Sequence, residues 1–351
     1  MKQQGMMQQG LSLVELMIAL LLSSLLILGV MTLYLDSDRT ARTSQALARL
    51  QDSGRIAIDI LSRDLRLSGY KGCFNPADYN DGQHFQASNL DPDFYSSAIR
   101  GVVAVAGDDD FEEAASAMGL SAAQVSRIVN GTDVIQVRYA VGPRRILEQG
   151  MATENSLLDT DSDQAIQQYV EGAEAIITNC NRVDHFAVGN SSSNEDNEIN
   201  HSGLSLDYPE GAQVFRFSTA TYWVGDTGRT DNDGNTVFAL YQDDQEVVSG
   251  IERLQILYGV RSTSNEDEVR FVQAGGINDN EWNEISALQV GILISDEQAV
   301  MEVDSTRHFQ LPGVTVQPEG SSGATATYPE DERLRAAFAT AVRVRNKVLD
   351  D

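Results

Sequence analysis

Residues 16–35 read LMIALLLSSLLILGVMTLYL, twenty positions without a charge. At about 1.5 Å of rise per residue such a helix is roughly 30 Å long, one bilayer core. The stretch is apolar on every face, which excludes a surface helix and disfavours a core helix. It exceeds the roughly 7–15 apolar residues of a secretory signal peptide, and TLYLDSD lacks a small-residue cleavage site. Charges resume at Asp36, Asp38, Arg39 and Arg42. On the other side one acid, Glu15, stands inside the apolar region between Val14 and Leu16, where a carboxylate is costly without a partner. Before it come Gly10, Leu11, Ser12 and Leu13, and before those a short polar leader, MKQQGMMQQ.

Downstream the pattern turns amphipathic. Leu47, Leu50, Ile58, Leu61 and Leu65 recur at helical spacings, opposite Arg49, Asp52, Arg55, Asp59, Arg63 and Arg66. No proline precedes Pro76, and Gly69 supplies a C-terminal stop. The expectation is one helix from about Ser12 to Ser68, with Gly29 and Gly54 as places where it can bend; an anchor followed by a separate coiled-coil segment is the alternative.

The string Gly10-Leu-Ser-Leu-Val-Glu15-Leu-Met-Ile-Ala-Leu20 resembles the type IV prepilin motif. The resemblance implies cleavage by prepilin peptidase between Gly10 and Leu11, N-methylation of Leu11, and Glu15 as the fifth-position acid that sets assembly register. Leu stands here where Phe is more usual. A new amine at Leu11 would let Glu15 pair with the N-terminus of a neighbouring subunit, and a desolvated pair of that kind fixes register more than it adds stability.

The run SQALARLQDSGRIAIDILSRDLRLSGYKGC, residues 44–73, resembles the PilW family of type IV pilus minor pilins. Looser echoes begin at Gly131 (GTDVIQVRYA), Ile177 (ITNCNRVDHF), Gly250 (GIERLQILYGV) and Ala337 (AFATAVRVRN, ending at Asn346); residues 75–127 match least. The implied division is 1–10 leader, 11–35 transmembrane half of the helix, 36–69 its amphipathic periplasmic half, and 70–351 the head. The strand and helix patterns sum to α+β, one long helix lying on antiparallel sheet, and the resemblance implies the pilin fold. Cys73 and Cys180 are the only cysteines, and both would lie outside the cytoplasm. The family-like contexts support a Cys73–Cys180 bridge, with two buried free thiols as the alternative.

Within residues 70–351, strand patterns fall at 133–141, 175–179, 214–224, 237–241, 251–260, 285–294 and 337–345, with Val214, Phe215 and Phe217 as core candidates. Residues 112–128 read as helix. Polar clusters at 190–200, 226–235, 262–268 and 320–327 read as exposed loops.

The net charge of −27, from 25 basic and 52 acidic residues, disfavours a nucleic-acid surface. Two cysteines exclude a disulfide scaffold and a four-thiolate zinc site. His84, His185, His201 and His308 lack ligand spacing and read as loop or surface residues; GLSLD at Gly203 fails the nucleophile elbow at its last position. Asp159/Asp161/Asp163 and Asp231/Asp233/Asn235 are fragments of calcium loops, but the first lacks the glycine and has Val170 at the twelfth place. No catalytic residue, metal site or cofactor is therefore expected.

The expectation is a minor pilin that primes pilus assembly at or near the tip. It would start in the inner membrane with a cytoplasmic leader and periplasmic head, then enter the pilus at the cell surface. Its partners would be prepilin peptidase, other minor pilins, the major pilin, a tip adhesin and the inner-membrane assembly platform. The alternatives are a minor pseudopilin of type II secretion and, from another class, a membrane-anchored periplasmic enzyme or ligand-binding domain.

Overall fold

The computed structural model describes residues 12–74, 85–86, 98–161, 169–190, 198–231, 233–262, 268–301, 303–344 and 346. Gly10, Leu11, His84 and Asp163 lie outside these residues, as do the leader and most of the 190–200 and 262–268 segments.

Helix α1 (Leu13–Leu67) is a single uninterrupted element of 55 residues, about 80 Å long. It stops where Gly69 takes a φ of +78°, a conformation open to glycine and strained for side chains. Two shorter helices, α2 (Asp109–Ala117) and α3 (Ala122–Val125), replace the single helix expected over 112–128. Gly119, with φ +82°, and the capping box of Ser121 and Gln124 divide them.

The strands, numbered in chain order, form two main sheets. The larger runs β1 (Phe85–Gln86), β6 (Val183–Ala187), β5 (Glu174–Thr178), β8 (Gln213–Thr230), β3 (Asp133–Ile146), β2 (Ile99–Val103), with β9 (Thr236–Gln242) and β10 (Gln245–Ser249) branching from β8. The second runs β12 (Val269–Val272), β11 (Ile251–Arg261), β13 (Ile285–Ala299), β17 (Arg333–Arg343). A small sheet of β14 (Phe309–Leu311), β15 (Val314–Pro318) and β16 (Ala326–Tyr328) covers part of the second sheet, and β4 (Leu158–Asp159) pairs with β7 (Glu198–Ile199). Pairing is antiparallel except between β1 and β6 and between β15 and β16. The fold is α+β, with the long helix packed on largely antiparallel sheet.

All seven expected strands are present, and Val214, Phe215 and Phe217 are buried. Two loop expectations are corrected. Residues 228–230, 233 and 234 are exposed as expected, but 226–235 is not loop throughout, because β8 continues to Thr230 and the Asp231 side chain is drawn inward by a buried arginine. Within 320–327, β16 begins at Ala326. His185 is also corrected: it is 1% exposed on β6, its ring tilted at 58° to that of Phe217 with centroids 4.9 Å apart.

The main core joins three layers. Leu50, Ala57, Leu61 and Leu65 of α1 meet Ile135, Val137 and Tyr222 of the larger sheet and Leu288, Val290 and Ile292 of the second. Gly54 lets α1 sit directly on the second sheet: a Cβ there would run into the Phe338 ring. Gly54→Ala is therefore expected to lower stability by about 1–3 kcal/mol, an overpacking cost that outweighs alanine's better helix propensity. Thermal unfolding checks this, with Gly29→Ala as the control, since nothing lies within 4 Å of that position.

Candidate functional site

The N-terminal 23 residues of α1 touch nothing in the head. Their large apolar side chains are exposed all round, from 43% at Leu35 to 76% at Leu13, so the head leaves this surface for another environment. Its polar side chains mostly satisfy themselves: Ser23, Ser24 and Thr32 donate to the carbonyls of Leu20, Leu21 and Gly29. Glu15 is different. It lies in the first turn, where the helix dipole favours an acid, yet it makes no hydrogen bond or ion pair among the described residues. Beyond Leu35, Arg42 bonds Asp38 at 2.9 Å, which marks the return to water. Gly10 and Leu11, outside the described residues, stay sequence expectations; Glu15 is placed at the start of the exposed helix.

The head holds the C-terminal half of α1 by polar pins as well as packing. Arg49 Nε and Nη2 donate to Asp296 Oδ2 and Oδ1 at 2.9 and 3.1 Å. Asp64 is 8% exposed and accepts from the Tyr222 hydroxyl at 2.6 Å. Burial, and then the bond to the Asp64 carboxylate, push the Tyr222 and Tyr139 phenols well above their ordinary range. At the helix end Asn346 Nδ2 donates to the carbonyls of Arg66, Leu67 and Ser68, groups the helix itself cannot satisfy.

Past the helix the chain turns through Gly72, at φ +72°, into Cys73, which is bonded to Cys180. The Thr178 hydroxyl accepts from Cys180 N–H and donates to the Arg182 carbonyl, fixing the β5–β6 turn that carries the second cysteine. The bridge thus ties the helix exit to the β5–β6 turn.

Two buried polar arrangements were not anticipated from the sequence. In the first, Arg335 Nε and Nη2 donate to both carboxylate oxygens of Glu252 at 2.7 and 2.9 Å, and Nη1 reaches Asp331 at 2.8 Å. Arg333 beside it donates through Nε and Nη2 to Asp231 at 3.0 and 2.8 Å. These arginines are 0–1% exposed as side chains. The signal was a pair of bases two places apart at the start of β17, Arg333 and Arg335, and a lone acid, Glu252, at the start of β11. Asp231 also accepts from the Asp233 and Asn235 N–H groups, so its calcium-like pattern is a turn closed by an arginine. In the other acidic fragment, Asp161 accepts from Ile146 N–H. Among the described residues no group of three or more His, Cys, Asp or Glu is placed to hold a metal.

In the second arrangement, β12 covers only Tyr258–Arg261 of its side of β11, and Gly131–Asp133 cover the rest. Thr132 Oγ1 donates to the Leu254 carbonyl and accepts from its N–H; Asp133 Oδ2 accepts from Ile256 N–H at 2.5 Å. Asp133 is fully buried, and desolvation pushes its carboxyl up to about 7 against the pull of that bond. From the unfolded value of 3.8 to about 7 the folded chain holds a proton that the unfolded chain has lost. This group's contribution is therefore complete below 3.8 and falls as pH rises through that window. Asp133→Asn keeps the acceptor and is expected to remove this slope: the gap between the variant's and the parent's denaturation midpoints widens between pH 5 and pH 8. An unchanged gap would refute the assignment.

Two protein-family models match the chain. The one described as type IV pilus-assembly protein W covers residues 229–346, and the prokaryotic N-terminal methylation motif covers residues 5–31. The first span takes in Asp231, Glu252, Arg333, Arg335 and Asn346; the second takes in Gly10, Leu11 and Glu15. No curated protein and no solved structure matches the chain.

Proposed function

We propose that this type IV pilus-related, prepilin-like protein is a minor pilin, inserted in the inner membrane, which helps prime pilus assembly and sits in or near the tip complex. Residues 1–10 are its leader, cut after Gly10 by prepilin peptidase, and the new terminus is N-methylated at Leu11. Residues 11–35 cross the membrane, 36–69 form the periplasmic half of the helix, and 70–351 form the head. Its neighbours are other minor pilins, the major pilin and a tip adhesin on the assembly platform, with fimbrial biogenesis, twitching motility and adhesion as the processes served. The role is structural and not enzymatic.

The observation that carries this reading is a single helix that joins the head, without a break, to an apolar surface bearing at its start one acid that has no partner among the described residues. A plain anchor needs neither the acid nor the rigid connection. The test is the N-terminal peptide mass of the chain purified from its native membrane. A terminus at methylated Leu11 is expected. A terminus at Met1 in cells with active prepilin peptidase, or cleavage near Asp36, overturns the reading.

A further inference from the structure

The second sheet ends on β17, and the far side of that strand is open. Just past β17, Val344 N–H donates to the Ser286 carbonyl. Bonding alternates along an antiparallel ladder, so Val342, Thr340, Phe338 and Ala336 bond β13 in the same way, opposite Leu288, Val290, Ile292 and Ile294. Ala337, Ala339, Ala341 and Arg343 therefore turn their N–H and C=O groups away from β13. Among the described residues no strand lies on that side and no backbone bond reaches these groups. The other edge strands of the two main sheets are short: five residues in β2 and in β10, four in β12, two in β1. β17 has 11 residues, and residues 336–342 read AAFATAV, with no charge, proline or bulge. Charges, prolines, bulges and short length are the devices by which edge strands avoid other chains, and this edge lacks all of them.

The layer beneath the edge is unfinished as well. Leu334, Ala336 and Phe338 share the inner face of β17 and pack on the main core, yet they are only half-buried. Ala337, Ala339 and Ala341 on the other face are exposed. A further strand laid along the edge would satisfy the open donors and acceptors and cover the inner row. A second copy of this chain does not fit. A symmetric pair would join β17 to β17 antiparallel, about a dyad perpendicular to the sheet. That dyad reverses every direction in the plane of the sheet, and α1 lies along that plane. The two projecting apolar stretches would then point opposite ways and could not share one bilayer.

We propose that the β17 edge is a strand-acceptor site: an extended segment of a different polypeptide pairs with residues 337–343 and becomes the next strand of the second sheet. The open groups recur at every second residue, a spacing that extended backbone matches and a helix does not. The side chains beside them set the pattern of the occupant, about seven residues long and apolar where it turns inward next to Ala336 and Phe338. The proposal rests on the assembly role argued above, because that role brings other chains to the head and holds each α1 in the same membrane.

The test places p-benzoylphenylalanine at Ala341 of the full chain in native cells, with irradiation and mass identification of the adduct. It is run in the parent, in Ala339→Pro and in Ala339→Ser. Proline at position 339 removes one outward N–H and sets its ring where the partner strand would lie, yet it leaves every bond to β13. Thr340→Pro removes a bond to β13 instead. Purified in detergent, Ala339→Pro is expected to unfold within about 5 °C of the parent, and Thr340→Pro far below it. In cells the expected adduct joins a different chain through a peptide of alternating apolar pattern. Ala339→Pro lowers its yield at least about tenfold, and Ala339→Ser leaves it unchanged. No adduct, an adduct only with a second copy or with lipid, or a yield indifferent to Ala339→Pro overturns the proposal. So does an Ala339→Pro head that fails to fold, because the Ala339 N–H would then be bonded within the chain already. The N-terminal mass is read from the same sample. A processed Leu11 terminus without the adduct overturns the acceptor site and leaves the minor-pilin reading standing, whereas an unprocessed terminus removes the premise and the proposal with it.

Discussion

Glu15→Ala is expected to leave the chain folded and inserted but to remove it from assembled pili. The head cannot sense the change, because Glu15 lies 31 residues before Ala46, the first buried residue of α1. The helix loses little, since an acid in the first turn is worth about 0.3–1 kcal/mol. Insertion becomes easier, because a carboxylate no longer enters the apolar phase. What is lost is the group that a neighbour's cationic terminus would meet. Breaking a desolvated pair costs about 3–5 kcal/mol, which corresponds to a hundredfold or greater loss at each contact. The measurement is the share of chain in sheared surface fractions against the share in membranes, for the parent, Glu15→Ala and Glu15→Gln. Equal shares for all three would sink the assembly role of this acid.

Replacing Cys73 and Cys180 together by serine is expected to cost about 4–5 kcal/mol of stability. The two positions are 107 residues apart, and in the chain-entropy model a loop of that size restrains the unfolded chain by about that amount. The native contacts around the bridge are otherwise complete, with Thr178 bonded on both sides of the turn, so the folded shape should persist. The check is denaturant unfolding of the purified full chain in detergent. The double variant and the reduced parent should coincide and fall well below the oxidised parent. A shift under about 1 kcal/mol would mean that the unfolded chain is already held together in this region.

How far the sequence reveals this molecule depends on the range of each interaction. The helix was legible because its cause is local: twenty uncharged residues, then Leu50, Leu61 and Leu65 on one stripe, with no proline. Seven of the strands between Asp133 and Arg343 were legible for the same reason, but short ones such as β10, β12, β14, β15 and β16 were not, and β17 starts at Arg333, four residues before the apolar run that marked it. The pairing of Glu252 with Arg335 spans 83 residues, and that of Asp231 with Arg333 spans 102. Nothing near either residue names its partner. Asp231 was rightly read as a turn residue, but its neighbours give no sign that an arginine 102 residues away buries its carboxylate. His185 misled because a single histidine in a short strand gives no sign of which face it takes. At the candidate site the acid and the exposed helix could be read directly, but not the seat: Asp296, Tyr222 and Asn346 become part of it only when the sheets close around α1.

The seat turns the helix into a lever. Ala46 to Leu65 are clamped, while the 33 residues before them project freely for about 50 Å. A tilt of about 5° at the clamp swings the far tip by roughly 4 Å, close to one helical turn of 5.4 Å. The bonds from Arg49 to Asp296 and from Tyr222 to Asp64 therefore set the aim of the tip as well as the cohesion of the head. A loosened fulcrum would leave every residue intact and still point Glu15 at the wrong neighbour.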